Sequence, residues 1–151
     1  MKKKVKRPLK KTPWKKVVKL PSILSQKTKT WKALSRYIRL LEKTCITCTR
    51  PSTETGHFIH NGDKPNKNLG GNALWYDLRN LHAQDPYCNR HRMGNTALYA
   101  LKLIERYGSD VIAELHILHQ TPKKWSISEL QAKERYFNEL YDQLQANPHT
   151  H

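Results

Sequence analysis

Apolar residues recur every three or four positions between residues 29 and 41, which is the spacing of one face of a helix. The members of this face are Trp31, Leu34, Tyr37, Ile38 and Leu41. Arg36 and Arg39 lie between them, where they can meet solvent or a phosphate group. Three prolines within residues 1–21 disfavour a long helix earlier in the chain, because proline lacks a backbone donor. We therefore predict that the first helix begins near Lys29.

The rest of the pattern alternates short extended segments with helices. Residues 56–59 form a β-like run, and the apolar segment 72–81 is interpreted as a second strand or extended segment. A helix is expected to start near Cys88. Further helices are predicted over about residues 96–107, 109–119 and 126–145. Ser126 and Glu129 have the spacing of a capping box at the start of the last one.

Positive charge is concentrated in the first quarter of the chain. The formal net charge is +16, and residues 1–41 contain 15 of the 28 Lys and Arg but no Asp or Glu. Such a segment cannot bury itself, yet it gains free energy on a polyanion by releasing counterions. We expect residues 1–29 to be a disordered DNA-binding arm; its candidate contacts are Lys10, Lys11, Lys15 and Lys16. The alternatives are a solubilising tail or, with little amphipathic order in its favour, an arm for anionic membranes.

The three cysteines have the spacing of a metal site. Cys45 and Cys48 form a Cys-x-x-Cys pair, and Cys88 follows forty residues later. An odd number of cysteines without an export signal favours reduced thiols over a disulfide framework. We predict a structural zinc ion bound by two knuckles, each of which holds two ligands about one turn apart. The alternative is three unrelated buried thiols.

The fourth zinc ligand has to be a residue other than cysteine. Asp85 and His91 stand three residues before and three residues after Cys88, so both have knuckle spacing. His82 is a looser candidate. A carboxylate oxygen is an acceptable zinc ligand. We favour Asp85 and keep His91 as the alternative.

The order of His57, Asn80 and Asn89 between and after the knuckles resembles the HNH, or ββα-metal, nucleases. In that fold a zinc ribbon clamps a β-hairpin against a helix. The hairpin presents a histidine, a middle asparagine braces the loop, and the helix presents a histidine or asparagine to a catalytic cation. The family has Cys-x-x-Cys at both knuckles, whereas this chain has Asp85-Pro-Tyr-Cys88 at the second.

A closer resemblance is to the NinG/Rap family of lambdoid phage recombination proteins. It rests on Thr-Cys-Ile-Thr-Cys, Gly-His-Phe, Arg-Asn-Leu-His-Ala-Gln, Cys-Asn-Arg-His-Arg-Met-Gly-Asn and Trp-Ser-Ile-Ser-Glu-Leu, within about residues 31–145. It implies a metal-dependent endonuclease acting on branched DNA such as Holliday junctions or strand-invasion intermediates. The alternatives are an HNH nicking or general endonuclease without junction preference, and a non-catalytic zinc-stapled DNA-binding protein.

The resemblance also implies roles for single residues. His57 would take the proton of the attacking water, because its ordinary pKa is near neutrality. Asn89 would offer an oxygen to a hydrated Mg²⁺ or Mn²⁺, and Asn80 would orient the loop of His57. His57 and Asn89 are thus expected to flank one scissile bond. Arg90 and Arg92, together with the two arginines of the first helix, would contact DNA phosphates.

Together these observations predict an α+β protein. Residues 30–108 would form a small zinc-stapled ββα-metal core of treble-clef type, and residues 109–147 a helical extension. DNA is the expected partner, and a homodimer would suit symmetric cleavage of a four-way junction. No run of about 18 apolar residues and no signal segment is present, so we expect no membrane span and a location in the host cytoplasm.

Overall fold

The computed structural model describes residues 21–60 and 71–147. The predicted contacts Lys10, Lys11, Lys15 and Lys16 lie outside the described residues, as does most of the expected arm. Six main elements follow in order: α1 (Ile23–Leu41), β1 (Glu54–His57), β2 (Leu81–Gln84), α2 (Thr96–Tyr107), α3 (Val111–Gln120) and α4 (Ile127–Ala146). The described residues therefore combine helices with a two-stranded sheet, as an α+β class requires. No helix among them is long and apolar enough to cross a membrane.

Helix α1 begins at Ile23, six residues before the predicted start near Lys29. Residues 23–29, which the sequence analysis placed in the arm, are therefore helical. Ser22 caps the helix, since its side-chain oxygen accepts a hydrogen bond from the backbone N–H of Ser25 at 3.1 Å. Pro21 lies just outside the helix, so its missing N–H breaks no helical hydrogen bond.

The apolar pattern does not extend to the first two turns of α1, because these turns bury polar side chains. Gln26 and Thr30 are 1% and 0% exposed. The Thr30 hydroxyl lies 2.9 Å from the carbonyl oxygen of Leu130, to which it donates, and the Gln26 amide donates to Glu134 at 2.5 Å. These bonds to α4 satisfy the buried groups, which would otherwise oppose folding.

Two apolar cores hold the elements together. The first joins α1, α4 and β2 and contains Ala33, Leu34, Ile38, Tyr76, Leu81, Ala83, Leu130 and Phe137. The second joins α2, α3 and the segment around Leu74 and contains Ile46, Leu74, Tyr99, Leu103, Val111 and Leu115. Both cores include residues on each side of the boundary predicted at residue 108. The C-terminal helices therefore bury apolar surface together with the hairpin and α1.

Strands β1 and β2 form an antiparallel hairpin in which Glu54 faces Gln84 and His57 faces Leu81. Side chains alternate between the two sides of a strand. One side, the α1 face, carries Thr55 and His57 with Leu81 and Ala83. The Thr55 hydroxyl lies 2.9 Å from that of Ser35 in α1. The other side, the α2 face, carries Glu54, Gly56, His82 and Gln84, and Tyr99 of α2 donates to the carbonyl of Gly56 at 3.3 Å.

The prediction of a second strand or extended segment at residues 72–81 is wrong. Residues 72–81 form two short 3₁₀ turns, Ala73–Tyr76 and Leu78–Asn80, and β2 begins only at Leu81. The side chain of Asp77 accepts a hydrogen bond from the N–H of Arg79 at 2.9 Å, which favours a turn over an extended chain. The apolar residues of this segment are buried by the helices rather than by a sheet.

The helix expected near Cys88 is interrupted. A π-helical turn, Tyr87–His91, is followed by a short 3₁₀ turn, Met93–Asn95, and only then by α2. Met93, Gly94 and Asn95 have positive φ angles. A regular helix cannot continue through such a backbone. The chain therefore changes direction between the third cysteine and α2.

Replacing Phe137 with alanine should destabilise the protein by about 3–5 kcal/mol, because Phe137 is 1% exposed in the core between α1 and α4. Tyr136→Ala on the same helix is the matched control, since Tyr136 is 50% exposed. Urea unfolding followed by circular dichroism measures both. Equal costs for the two variants would show that α4 does not pack in this way.

Candidate functional site

Three thiols meet beside the hairpin. The sulfur atoms of Cys45, Cys48 and Cys88 all lie within 4.8 Å of one another, and Cys45 and Cys88 are each 1% exposed. Cys45 and Cys48 sit in a tight turn, where the N–H of Thr49 donates to the carbonyl of Cys45 at 3.0 Å. Sulfur atoms this close can reach one ion at Zn–S distances of about 2.3 Å. The predicted cysteine ligands are therefore brought together in a cluster that could hold zinc.

Charge near the thiols favours a metal-binding thiolate. Burial raises the pKa of Cys48, but hydrogen bonds from Arg50 and the neighbouring thiols bring it down to about 7. The Arg50 Nε donates to the Cys48 sulfur at 3.4 Å, and its Nη2 lies 3.3 Å from an Asp85 oxygen. Burial raises the pKa of Cys88. These pKa shifts favour the thiolate form at Cys48 over Cys88.

The two favoured candidates for the fourth ligand make other contacts. Asp85 Oδ1 accepts hydrogen bonds from the N–H groups of Tyr87, at 2.7 Å, and Cys88, at 3.3 Å, and so caps the π-helical turn. The His91 ring lies 5.6 Å from the Tyr87 ring. Among the described residues, the cluster of close donor atoms contains only the three thiols. The roles of Asp85 and His91 as zinc ligands stay predictions.

His82, the looser candidate, belongs to a different network. Its Nδ1 lies 2.7 Å from Oε1 of Glu42, and Arg106 pairs with the same oxygen. The other oxygen of Glu42 accepts from the N–H of Ala83 at 2.8 Å. His82 is 2% exposed and packs against the ring of Tyr99. This network ties the end of α1 to β2 and α2.

His57 is the last residue of β1 and lies on the α1 face. Its ring stacks on Trp31 of α1, with centroids 5.0 Å apart and planes 12° from parallel, and the His60 ring lies 6.1 Å away. Burial, helped by the charge of His60, lowers the pKa of His57 to about 4. The imidazole is therefore neutral at pH 7. The sequence showed Trp31 only as one member of an apolar face, so this stacking was missed.

Asn80 forms hydrogen bonds with the chain that follows His57. It is 0% exposed, its Oδ1 accepts from the N–H of Ile59 at 2.8 Å, and its Nδ2 donates to the carbonyl of Ile59 at 3.1 Å. Its backbone carbonyl also accepts from the N–H of Phe58 at 2.9 Å. These bonds hold the chain directly after His57 against the start of β2.

Asn89 contacts an acidic residue that the sequence interpretation missed. The Asn89 Nδ2 donates to Oε2 of Glu54 at 2.8 Å, and Arg90 pairs with the other carboxylate oxygen. Burial raises the pKa of Glu54, but these hydrogen bonds lower it by more, so the pKa lies below its ordinary value. The carboxyl group is therefore ionised at pH 7. Glu54 and Gly56 are two residues apart, so they lie on the same side of β1. The sequence did not show that this side faces Asn89, because it does not give the register of the hairpin.

His57 and Asn89 are held from opposite sides of the hairpin. The stacking on Trp31 anchors His57 on the α1 face, whereas the bond to Glu54 anchors Asn89 on the α2 face. Glu54 begins β1 and His57 ends it, so Asn89 and His57 are held at opposite ends of the strand as well as on opposite faces. A ligand that touches both side chains must therefore span the length of β1.

The predicted phosphate-binding arginines do not form one group. Arg92 lies over the Tyr87 ring at 5.4 Å, close to the π-helical turn. Arg36 lies over the Tyr141 ring at 4.0 Å, and Arg39 donates to the Ser35 hydroxyl at 3.0 Å, both on α1. Arg90 extends from the α2 face with its side chain 70% exposed.

A family model described as Bacteriophage Lambda NinG protein matches residues 2–146. The chain belongs to the NinG family. Protein ninG of Escherichia phage 933W is 30% identical over 116 residues, 73% of this chain and 54% of the relative. Protein ninG of phage lambda is 30% identical and that of Salmonella phage P22 31%, each over 73% of this chain and 53% of the relative. The NinG-family chain thus spans about half the length of these curated relatives. No solved structure matches it.

Cobalt substitution tests the thiol cluster. Protein refolded with Co²⁺ should show thiolate-to-cobalt charge-transfer absorption, because three sulfur atoms surround one position. Cys88→Ser should weaken this absorption and lower the zinc content measured by atomic emission, whereas Ser109→Ala, far from the cluster in sequence, should leave both unchanged. Unchanged zinc content in Cys88→Ser would rule out the cluster as the metal site.

Removing the stacked indole should change the titration of His57. Trp31→Ala exposes the imidazole, so its pKa should rise from about 4 toward the ordinary 6.5, whereas Trp31→Phe should keep it low. Two-dimensional NMR of the histidine rings measures the pKa directly.

The low pKa of His57 also makes the folding free energy depend on pH. As the pH falls from 6.5 to 4, the unfolded chain binds the proton before folded His57 does, so the wild type loses folding free energy across this range. Trp31→Ala should lose less. A wild-type His57 that titrates near 6.5 would contradict the stacking.

Proposed function

We propose that this NinG-family chain is a metal-dependent endonuclease of HNH type that cleaves branched DNA recombination intermediates. The observation that carries the proposal is the neutral imidazole of His57 at the end of a hairpin, with its loop braced by Asn80 and a carboxamide, Asn89, just after the hairpin. The thiol cluster beside it supports a zinc-stapled core. This is the order of groups that the resemblance to HNH nucleases implies.

His57 accepts a proton from the attacking water. A histidine with a pKa of about 4 is unprotonated at pH 7, so its ring nitrogen is available. The pKa of so weak a base must rise during the reaction, and an adjacent phosphate anion raises it by favouring the imidazolium. DNA binding therefore brings the pKa of His57 closer to the value that proton transfer requires. Stacking on Trp31 and the hydrogen bonds of Asn80 hold the ring and its loop in place.

Asn89 presents an oxygen ligand on the other side of the scissile phosphate. Because its Nδ2 already donates to Glu54, its Oδ1 remains for a cation. Mg²⁺ or Mn²⁺, when bound, would stabilise the negative charge that develops on the phosphate and the leaving oxygen. Carboxylate and amide oxygens are the ligands these ions prefer, so the residues present fit the ion. The DNA strand would run along β1, with Asn89 held at the start of the strand and His57 at its end.

Phosphate contacts provide most of the binding free energy in this proposal. The net charge of +16 and the basic N-terminal segment favour a polyanion, and exposed Arg90 stands beside the proposed cation ligand. The branched substrate is supported by the resemblance to NinG/Rap recombination proteins. A homodimer would place two such sites on one four-way junction. The proposed location is the cytoplasm of the infected host.

The function is tested with labelled four-way junction, flap, duplex and single-stranded DNA in Mg²⁺ or Mn²⁺. His57→Ala should lower the junction cleavage rate by about 10²-fold or more, because the proton acceptor is lost. Its affinity for junction DNA, measured by gel shift, should stay close to that of the wild type. His116→Ala, an exposed histidine on α3, is the matched control and should cleave normally.

Each alternative predicts a different result. Wild-type protein that binds junctions but cuts no substrate with either ion would indicate a non-catalytic zinc-stapled DNA-binding protein. Equal cleavage of junction and duplex would indicate a nicking or general endonuclease of the same fold. Full cleavage by His57→Ala would remove the imidazole from the mechanism.

A further inference from the structure

Two indole rings are neighbours where the 3₁₀ turn Ala73–Tyr76 meets the segment that leads into α4. Trp75 and Trp125 both come within 3.7 Å of the position that a Cβ atom on Gly71 would occupy. Both rings pack against the core between α1 and α4, yet both are only half-buried. Part of each indole therefore remains at the surface, close to the other.

Three lysines lie over these rings. The Nζ atom of Lys27 is 5.5 Å from the centroid of Trp75, and those of Lys123 and Lys133 are 5.0 and 5.1 Å from the centroid of Trp125. These five residues are called the tryptophan–lysine patch. At surface sites the attraction between an ammonium group and an indole is weaker than the stacking of a nucleic-acid base on the same ring. A base can therefore replace a lysine on the indole.

Positive charge at the patch exceeds the negative charge beside it. Lys123 pairs with Glu129 at 2.6 Å, whereas Lys133 forms no ion pair within the described part of the chain. Burial lowers the pKa of Lys133 and the charge of Lys123 lowers it further, while Asp77 and Glu129 raise it. Asp77 is already paired with Arg79. An anion bound beside the two lysines would therefore reduce the repulsion between them.

The Trp125 indole is held in a fixed position. Its Nε1 donates to the carbonyl of Asn72 at 3.3 Å, and the Tyr76 ring meets it edge-on, with centroids 5.2 Å apart and planes at 85°. Tyr76 is 4% exposed, so the ring against which Trp125 packs is part of the core. A ring that is already fixed loses little conformational freedom when a base stacks on it.

The patch adjoins the part of α1 that holds His57. Lys27 and Trp31 are four residues apart in α1, so their side chains are neighbours on one side of the helix. Trp31 stacks on His57, and Lys27 lies over Trp75. A DNA strand that passes His57 can therefore follow α1 to the patch.

We propose that the tryptophan–lysine patch binds single-stranded DNA, with unpaired bases stacked on Trp75 and Trp125. The lysine ammonium groups leave the rings when the strand binds, and they pair with its phosphate oxygens. Bases inside a duplex are covered by their neighbours and offer no free face, so the patch selects unpaired strands. The inference rests on the proposed function, in which a branch point supplies unpaired bases, and it adds the part of the substrate that the protein recognises.

Stacking is tested with zinc-loaded protein and without Mg²⁺ or Mn²⁺, by fluorescence anisotropy of a labelled oligothymidylate and an abasic strand of the same length. The wild type should bind oligothymidylate at least about tenfold more tightly, because the abasic strand has phosphates but no bases. Trp75→Leu and Trp125→Leu should each lose most of this preference. Trp125→Phe keeps an aromatic face and should retain it. Tyr136→Leu removes an exposed aromatic ring of α4 outside the patch and is the control.

The lysines should act on phosphates rather than on bases. Lys133→Gln should weaken the binding of both strands equally, and it should reduce the slope of log affinity against log salt concentration by about 0.7. Lys102→Gln, which removes an exposed lysine of α2 paired with Glu105, is the matched control and should keep the wild-type slope. An unchanged slope in Lys133→Gln would contradict the phosphate contact.

Circular dichroism and thermal unfolding show whether each variant is folded. Strands that carry iodouracil, which cross-links under ultraviolet light to aromatic rings in contact with it, test the wild type without any substitution. Cross-links at Trp75 or Trp125 are expected, and cross-links only at other residues would overturn the proposal. A folded Trp125→Leu that keeps the full preference for oligothymidylate would also overturn it. So would equal affinity of the wild type for oligothymidylate, the abasic strand and polyglutamate, which indicates a site for polyanions in general.

Failure of the patch and failure of the nuclease proposal give different results. If the tryptophan variants lose the preference for bases while the wild type cuts no DNA, the patch stands and the nuclease function is wrong. If His57→Ala abolishes junction cleavage while Trp75→Leu and Trp125→Leu bind and cleave like the wild type, the function stands and the patch is wrong. His57→Ala should itself keep the preference for oligothymidylate, because His57 is not part of the patch.

Discussion

The register of the β1–β2 hairpin is the constraint on which the rest of the site depends. With Glu54 opposite Gln84, alternation sends His57 to the α1 face and the Glu54 side chain to the α2 face. A slip of one residue would exchange these positions and bury the acidic group against the apolar core of α1. The hydrogen bonds of Asn80 to Ile59 oppose such a slip, since they fix the chain just beyond the end of β1.

The thiol cluster and the Glu42 network hold the hairpin from its two sides. Cys45 and Cys48 precede β1, and Cys88 follows β2, so an ion bound by all three would join the outer ends of the hairpin. Glu42 accepts from the N–H of Ala83 in β2 and pairs with Arg106 of α2. A hairpin of four-residue strands is only marginally stable alone. These outside contacts explain how so short a sheet can hold the side chains of Glu54 and His57 in fixed positions.

Much of the helical structure was readable from local pattern. The capping box at Ser126 is present, with its side chain accepting from the N–H of Glu129 at 3.2 Å, and α2, α3 and α4 lie close to the predicted ranges. The start of α1 was missed because Gln26 and Thr30 are polar yet buried, and only their bonds to α4 explain it. Residues 72–81 were misread because strand-like composition does not distinguish a strand from buried 3₁₀ turns.

The sequence by itself determined the candidate chemistry: three cysteines at metal-binding spacing, a histidine and two asparagines in a recognisable order, and an N-terminal concentration of positive charge. Only the tertiary structure decided which groups meet. The stacking of Trp31 on His57 and the hydrogen bond from Asn89 to Glu54 join residues from separate elements. Spacing along the chain reports neighbours within one helix or strand, whereas contacts between elements depend on register and packing, which are properties of the whole fold.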